Sequence, residues 1–191
     1  MKYCSECGGK VVFRESVLGA MSRFVCTVCG SIFHQSPRLA AGCLAEWQGR
    51  ILLCRRATQP EQGMWELPAG FVASGESTGK AAARETLEEV GVAVELGEPY
   101  ALLHVVSIGQ LRVIYLARLL DEHFAIGPET LEAKLFDEVE IPWDDLAFAT
   151  TRYALRRYFV DRRTGNFALF FADIVPFNAP NTRQLQRSGQ E

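Results

Sequence analysis

The chain has no marked excess of charge of either sign. Its 20 lysines and arginines stand against 23 aspartates and glutamates, a formal net charge of -3, which leaves no global attraction for nucleic acid or an anionic membrane surface. No apolar run reaches the roughly eighteen residues of a membrane span, and no basic-then-apolar leader precedes a small-residue cleavage site. Internal repeats and low-complexity tracts are also missing. These absences give the expectation of a soluble cytoplasmic protein with neither a membrane nor a nucleic-acid partner. Apolar residues are plentiful: 48% of 191 residues are hydrophobic, enough for one or two domains with a real core.

Four of the six cysteines, Cys4, Cys7, Cys26 and Cys29, form two C-x2-C pairs separated by eighteen residues, the spacing of two metal knuckles. Thiolates suit Zn2+ in a closed tetrahedral site, and the glycine after each pair lets a tight turn aim both sulfurs at one ion. The rival reading is two disulfides, which belongs to oxidising compartments. His34 is an additional candidate ligand, but four thiolates already fill such a site, so it reads as a linker residue. Cys43 and Cys54 lie in apolar, strand-like runs and read as small core residues. Residues 1–35 are too few to fold on an apolar core and are expected to depend on their metal.

Beyond the linker HQSPR, the segments LAAGCLAEW and RILLCRR read as strands joined by a Gln48-Gly49 turn, and MWELPAGFV leads toward a helix. PYALLHVVS and QLRVIYLARL read as a second hairpin turning near Ile108-Gly109. TLEAKLFDEVEIP reads as a strand entering a loop, WDDLAF as a short helix, and FALFFADIV as a last strand. Between the latter two, ATTRYALRRYFVDRRTG has the apolar spacing of an amphipathic helix stopped by Gly165. Strands and hairpins with interspersed helices predict an α+β or mixed αβα sandwich over residues 36–175, followed by a polar, flexible tail at 176–191.

The stretch GFVASGESTGKAAARETLEEVGV contains a helix whose charges run the wrong way. With Ser77 as N-cap and Gly91 as the left-handed stop, Lys80 and Arg84 precede Glu85, Glu88 and Glu89, although carbonyl ends disfavour anions. Glu85 and Glu89 also form an i,i+4 like-charge pair, costing a few tenths of a kcal/mol. A solvated acidic face is the bland reading. The sharper one is that the three carboxylates project toward one point and bind Mg2+ or Mn2+, which offsets both penalties. Arg84 would then fix one carboxylate by hydrogen bonding.

The spacing of Gly70, Glu76, Arg84, Glu85, Glu88, Glu89, Gly91 and Val92 resembles the Nudix box, G-x5-E-x7-R-E-U-x-E-E-x-G-U, with every fixed position present. The one departure is Thr86, where the family usually has a bulky aliphatic residue. The resemblance implies an α/β/α sandwich with a mixed sheet and metal-dependent hydrolysis of a nucleoside diphosphate linked to another group. It implies that Glu85, Glu88 and Glu89 are metal-binding and catalytic, that the Gly70 carbonyl joins them, and that Glu76 and Arg84 order the loop and helix. A general base outside the box is common in the family, and Glu129 and Glu132 in GPETLEAKLF are candidates.

The cysteine ribbon, the linker and the segments GCLAEWQGRILLCRR, GMWELPAGF and GPETLEAKLF resemble the zinc-ribbon Nudix branch that includes FAD diphosphatases, with ADP-ribose a further possible substrate. NADH diphosphatases and NAD-RNA decapping enzymes also carry a ribbon, but their SQPWPF-like segment is missing here. A third reading is a nucleotide sensor whose ribbon contacts nucleic acid or protein. Arg55, Arg56 and Arg112 are candidate phosphate contacts, and Trp65, Phe148 and Tyr153 are candidate base-stacking rings. The resemblance also implies a homodimer.

Overall fold

The structure is a computed structural model and describes residues 1–15, 23–34 and 36–175. The tail expected to be flexible, 176–191, lies outside the described residues, as does Gln35 of the linker. The chain divides into two compact units, residues 1–37 and 38–191. Among the described residues no helix is long and apolar enough to cross a membrane.

The first unit is a three-stranded antiparallel sheet of β1 (Val11–Arg14), β2 (Arg23–Cys26) and β3 (Ile32–Phe33). Its core is only Cys4, Val11 and Cys26, with Phe24 and Phe33 packed against them. So small an apolar cluster supplies little folding free energy, and the sulfurs occupy the place where a larger domain would keep its aliphatic side chains.

The second unit is built on a mixed sheet. Its strands are β4 (Arg38–Trp47), β5 (Arg50–Arg56), β6 (Trp65–Glu66), β7 (Ala69–Phe71), β8 (Val94–Val105), β9 (Gln110–Leu119), β10 (Thr130–Phe136) and β11 (Phe170–Ile174). The main order is β10-β5-β4-β9-β8-β11, with β4–β9 and β8–β11 parallel and the other neighbours in this order antiparallel. Helices α1 (Thr78–Val90) and α2 (Ala149–Thr164) pack on separate apolar clusters. Alternating side chains of the strands serve the two: Ala41, Cys43 and Ala45 of β4 belong to the α1 cluster, whereas Leu44 belongs to the α2 cluster. A fully buried leucine or isoleucine in either layer contributes about 1.5–3 kcal/mol.

Two elements differ from the sequence expectation. The strand expected from Pro99 starts at Val94, because register shifts on both sides of Pro99 carry the ladder past a residue that cannot donate to it. WDDLAF forms only a 3-10 turn at Trp143–Asp145, too short to continue before the extended Leu146.

Helix α1 begins where Ser77 accepts a hydrogen bond from the Lys80 amide (3.3 Å) and ends at Gly91, φ 72°, whose amide donates to the Leu87 carbonyl (2.9 Å). Its buried face is Ala81, Ala82, Thr86 and Val90. Thr86 is fully buried, and its hydroxyl donates back to the Ala82 carbonyl at 2.8 Å. That bond satisfies the polar atom introduced at a position the family usually keeps aliphatic. Thr86→Val removes donor and demand together, so its melting temperature is expected within a few degrees of the parent. Thermal unfolding checks this; a much larger loss would mean the hydroxyl is structurally required.

Candidate active site

Strands β4 and β5 pair only at Glu46–Ile51 and Trp47–Arg50. Beyond that they part, β7 pairing with β4 and β6 with β5. The connecting segment is tied across by the Cys43 amide, which donates to the Pro68 carbonyl (3.0 Å). Gly70 and the charged end of α1 border a cavity of about 880 Å3, whose walls also come from β4, β8, β9, β11 and the start of α2.

One wall is acidic. Glu85, Glu88 and Glu89 all line the cavity, together with Gly70. Arg84 organises them: Nε and Nη2 reach Glu76 Oε1 (2.9 Å) and Oε2 (3.0 Å), while Nη1 donates to Glu85 Oε1 (2.7 Å) and Glu88 Oε2 (3.0 Å). Glu76 also accepts from the Ala73 amide (3.2 Å), and Arg84 Nη2 donates to the Phe71 carbonyl (3.2 Å), so loop and helix are joined through one guanidinium. The Arg84 hydrogen bond holds the Glu76 carboxyl below the usual range.

Glu89 is turned elsewhere. Cys54 Sγ donates to its Oε2 at 3.0 Å. Burial pushes the Glu89 carboxyl up to about 8, and the Glu66 and Glu85 charges add to this while the Cys54 hydrogen bond opposes it. The three glutamates therefore share a wall without converging as tightly as the helix spacing suggested. Among the described residues, the only set of three or more His, Cys, Asp or Glu ligand atoms within 4.8 Å of one another is the cysteine set. The reason is local: Arg84 holds Glu85 and Glu88, while Cys54 holds Glu89.

The lining also carries basic residues. Arg56 pairs with buried Glu66 on β6, and its guanidinium carbon lies 5.1 Å from the Phe148 ring centroid. Arg112 lies 4.8 Å from the same centroid, 3.8 Å from Glu66 and 3.3 Å from the Thr150 hydroxyl. Arg112 is only 9% exposed and its Nε has no partner, nor does Glu66 Oε2. Burial lowers the Arg112 pKa and raises that of Glu66. Arg56 and Arg112 share the single Glu66 carboxylate, and the Glu89 carboxylate also acts on Arg112.

The structure separates several residues that sequence reasoning grouped. Arg56 and Arg112 line the cavity; Arg55 does not, and pairs instead with Glu132 (3.8 Å). Glu132 is likewise absent from the lining, whereas Glu129 is part of it. The cause is the pleat together with a register shift: Thr130 opposes Arg56 and Glu132 opposes Arg55, so the latter pair lies one residue out of step. Glu129 is brought in by the segment before β10, whose Ala125 and Gly127 amides donate to the last helical carbonyls, Val90 (2.9 Å) and Glu89 (3.0 Å).

Of the three candidate rings, only Phe148 reaches the cavity. Trp65 packs edge-on to Phe136 (5.0 Å) and Tyr153 against Phe170 (5.8 Å). Sequence reasoning missed Arg38, Phe71, Gln110 and Glu66 as cavity or wall residues. Phe71 follows Gly70 directly, and that adjacency was the available signal.

In the first unit the four sulfurs face one another, with Cys4–Cys29 at 3.6 Å and Cys7–Cys26 at 3.5 Å. These separations rule out bonded sulfurs at about 2.05 Å and approach the edge of about 3.8 Å in a tetrahedron of Zn–S bonds. The Glu6 amide donates to Cys4 Sγ and the Val28 amide to Cys26 Sγ, each at 3.4 Å, and the Cys29 and Val28 amides hold the Cys26 thiol below its usual pKa.

The comparisons with known proteins identify the family. The NUDIX domain model matches residues 36–162 and the Nudix N-terminal zinc-ribbon model residues 2–35. The chain belongs to the Nudix hydrolase family, with a zinc-ribbon N-terminus. It is similar to a crystal structure of a Nudix hydrolase from Nitrosomonas europaea, at 42% identity and TM-score 0.84, covering 91% of this chain and 100% of that one. It is 28% identical to an ADP-ribose pyrophosphatase of Methanocaldococcus jannaschii over 56% of this chain and 65% of that protein. It is 33% identical to the NAD-capped RNA hydrolase NudC of Chromobacterium violaceum over 49% of this chain and 34% of that protein. The chain thus spans between a third and two thirds of these curated relatives.

Proposed function

We propose that the protein hydrolyses the pyrophosphate of a dinucleotide or related nucleoside diphosphate derivative, with FAD (to FMN and AMP) and ADP-ribose (to AMP and ribose 5-phosphate) the foremost substrates. The observation that carries this reading is a cavity lined by three glutamates together with two arginines, Arg112 buried and Arg56 partly exposed. The donor set fits a hard divalent cation. Gly70 leaves room for the Glu85 carboxylate, since a Cβ there would stand 2.1 Å from Glu85 Cδ. Glu85, Glu88, Glu89 and the Gly70 carbonyl would hold Mg2+ or Mn2+.

When bound, such an ion neutralises pyrophosphate charge and acidifies water. Arg56 and Arg112, both on the cavity lining, bind the phosphate oxygens. Arg84 keeps Glu85 and Glu88 in place against their mutual repulsion. Glu129, on the cavity wall, takes a proton from the attacking water as its oxygen bonds to phosphorus. The bridging oxygen then leaves with the second phosphoryl group, giving two monophosphates.

Product analysis with Mg2+ or Mn2+ against FAD, ADP-ribose, NADH and NAD+ at equal concentration tests this. FMN and AMP from FAD, or AMP and ribose 5-phosphate from ADP-ribose, are the expected products; a folded protein inert toward all four contradicts the proposal. NADH turnover in preference to FAD would favour the reading supported by the similarity to NudC.

The ribbon is proposed to hold one Zn2+ through Cys4, Cys7, Cys26 and Cys29, in a structural role. Elemental analysis is expected to give about one zinc per chain, and Cys7→Ser is expected to lose it together with dispersed amide resonances from residues 1–37. Zinc retained at full stoichiometry by that variant would place the ion elsewhere.

A further inference from the structure

Cross-strand register sets a continuous row along the cavity wall away from the acidic helix. Ile174 of β11 pairs with Val105 of β8, Val105 with Gln110 of β9, and Gln110 with Arg38 of β4. Directly paired residues present their side chains on one face of a sheet, and all four line the cavity. Phe71 stands in the neighbouring row, paired with Ala40, and its ring lies 4.9 Å from the Arg38 guanidinium carbon. Phe71 is 50% exposed although it borders the cavity, so a large apolar face remains open to an incoming group. Gln110 is 7% exposed, which restricts its amide to the wall in which it sits.

We infer that this row is a base-reading subsite: Phe71 and Arg38 provide the stacking surface, and Gln110 is the specificity-determining residue for a planar heterocycle with adjacent donor and acceptor. The chemistry follows from the side chains. A primary amide offers one acceptor and two donors in a plane, the complement of an adenine edge or of the pyrimidine-like edge of an isoalloxazine. Aromatic and guanidinium planes stack on any base without reading it, so the discrimination falls to Gln110. Val105 and Ile174 continue the row with apolar side chains and so exclude water from that hydrogen-bonded edge. The subsite deepens the proposed pyrophosphatase reading and rests on it for the position of the phosphates. It also predicts that a sugar in place of the heterocycle is a poorer partner on this side of the cavity.

The test is calorimetric titration of the full chain in Mg2+ with three phosphomonoesters that are not hydrolysed as pyrophosphates: AMP, FMN and ribose 5-phosphate. AMP or FMN is expected to bind at least about tenfold tighter than ribose 5-phosphate. Gln110→Met, which keeps length and burial while removing the amide, is expected to erase most of that difference and to change ribose 5-phosphate affinity less than twofold. Phe71→Ala, at an exposed ring that folding does not need, is expected to weaken both base-bearing ligands by about tenfold. Base-independent binding by the parent chain overturns the proposal. So does Gln110→Met with undiminished preference, or with all three ligands weakened alike. Hydrolysis is read separately: turnover without base preference sinks the subsite alone, and base preference lost in Gln110→Met supports it even if no pyrophosphate is cleaved.

Discussion

Glu89→Gln is expected to lower kcat/KM for pyrophosphate hydrolysis by about 1,000-fold, equivalent to about 4 kcal/mol of lost transition-state stabilisation. The substitution keeps size and shape but removes the charge from a carboxylate set against buried Cys54 and Glu66. Burial, reinforced by the Glu66 and Glu85 charges, pushes this group toward neutrality, so the cost of keeping it ionised has to be offset by a bound cation. Glutamine removes that cost in the metal-free protein. Its melting temperature in chelator is therefore expected to equal or exceed that of the parent, while the stabilisation the parent gains from added Mg2+ or Mn2+ is largely lost. Steady-state kinetics with thermal unfolding in chelator and in metal checks both halves. A variant that is inactive because it is unfolded in chelator would show instead that Glu89 is structural.

Gly70→Ala is the second large effect, about 100-fold on kcat with little change in melting temperature. Gly70 does not need glycine's backbone freedom, because its conformation is not among the left-handed glycines. What it supplies is space. An added methyl group would stand 2.1–2.2 Å from the Glu85 carboxylate atoms, and Arg84 grips that carboxylate from the other side at 2.7 Å. The side chain can yield only by leaving the position in which Arg84 holds it. The loss should therefore appear in kcat and in the metal dependence, with the fold intact. Activity within a few-fold of the parent would mean that the carboxylate position is not critical.

Much of this site is legible in the sequence because it depends on short-range spacing. The N-cap Ser77, the stop at Gly91 and the i, i+3, i+4 glutamates are consequences of helical period, and the two C-x2-C pairs follow from turn geometry. Where long-range register decides, the sequence is ambiguous. Glu129 and Glu132 are three residues apart in one acidic segment; the first reaches the cavity from the segment tied to the end of α1, and only a register shift within β10 sets the second opposite Arg55. Arg55 and Arg56 are adjacent and chemically identical, yet the pleat sends them to different partners. Trp65 and Tyr153 were as plausible as Phe148 for stacking, because an aromatic in an apolar run gives no sign of which neighbour it meets. Phe71 was overlooked since it sits inside a motif read for its glycine. The burial of Arg112, which leaves a donor without a partner, depends on β9 lying centrally between β4 and β8 and on Phe148 covering it.

The most direct measurement is hydrolysis of FAD and ADP-ribose in water enriched in oxygen-18, with products resolved by mass spectrometry. The account predicts one labelled oxygen per turnover, carried on a phosphorus of a monophosphate product, because water attacks at the pyrophosphate bordered by the glutamates and arginines. Label on a sugar carbon, or no turnover of either compound by folded protein supplied with Mg2+ or Mn2+, would contradict it.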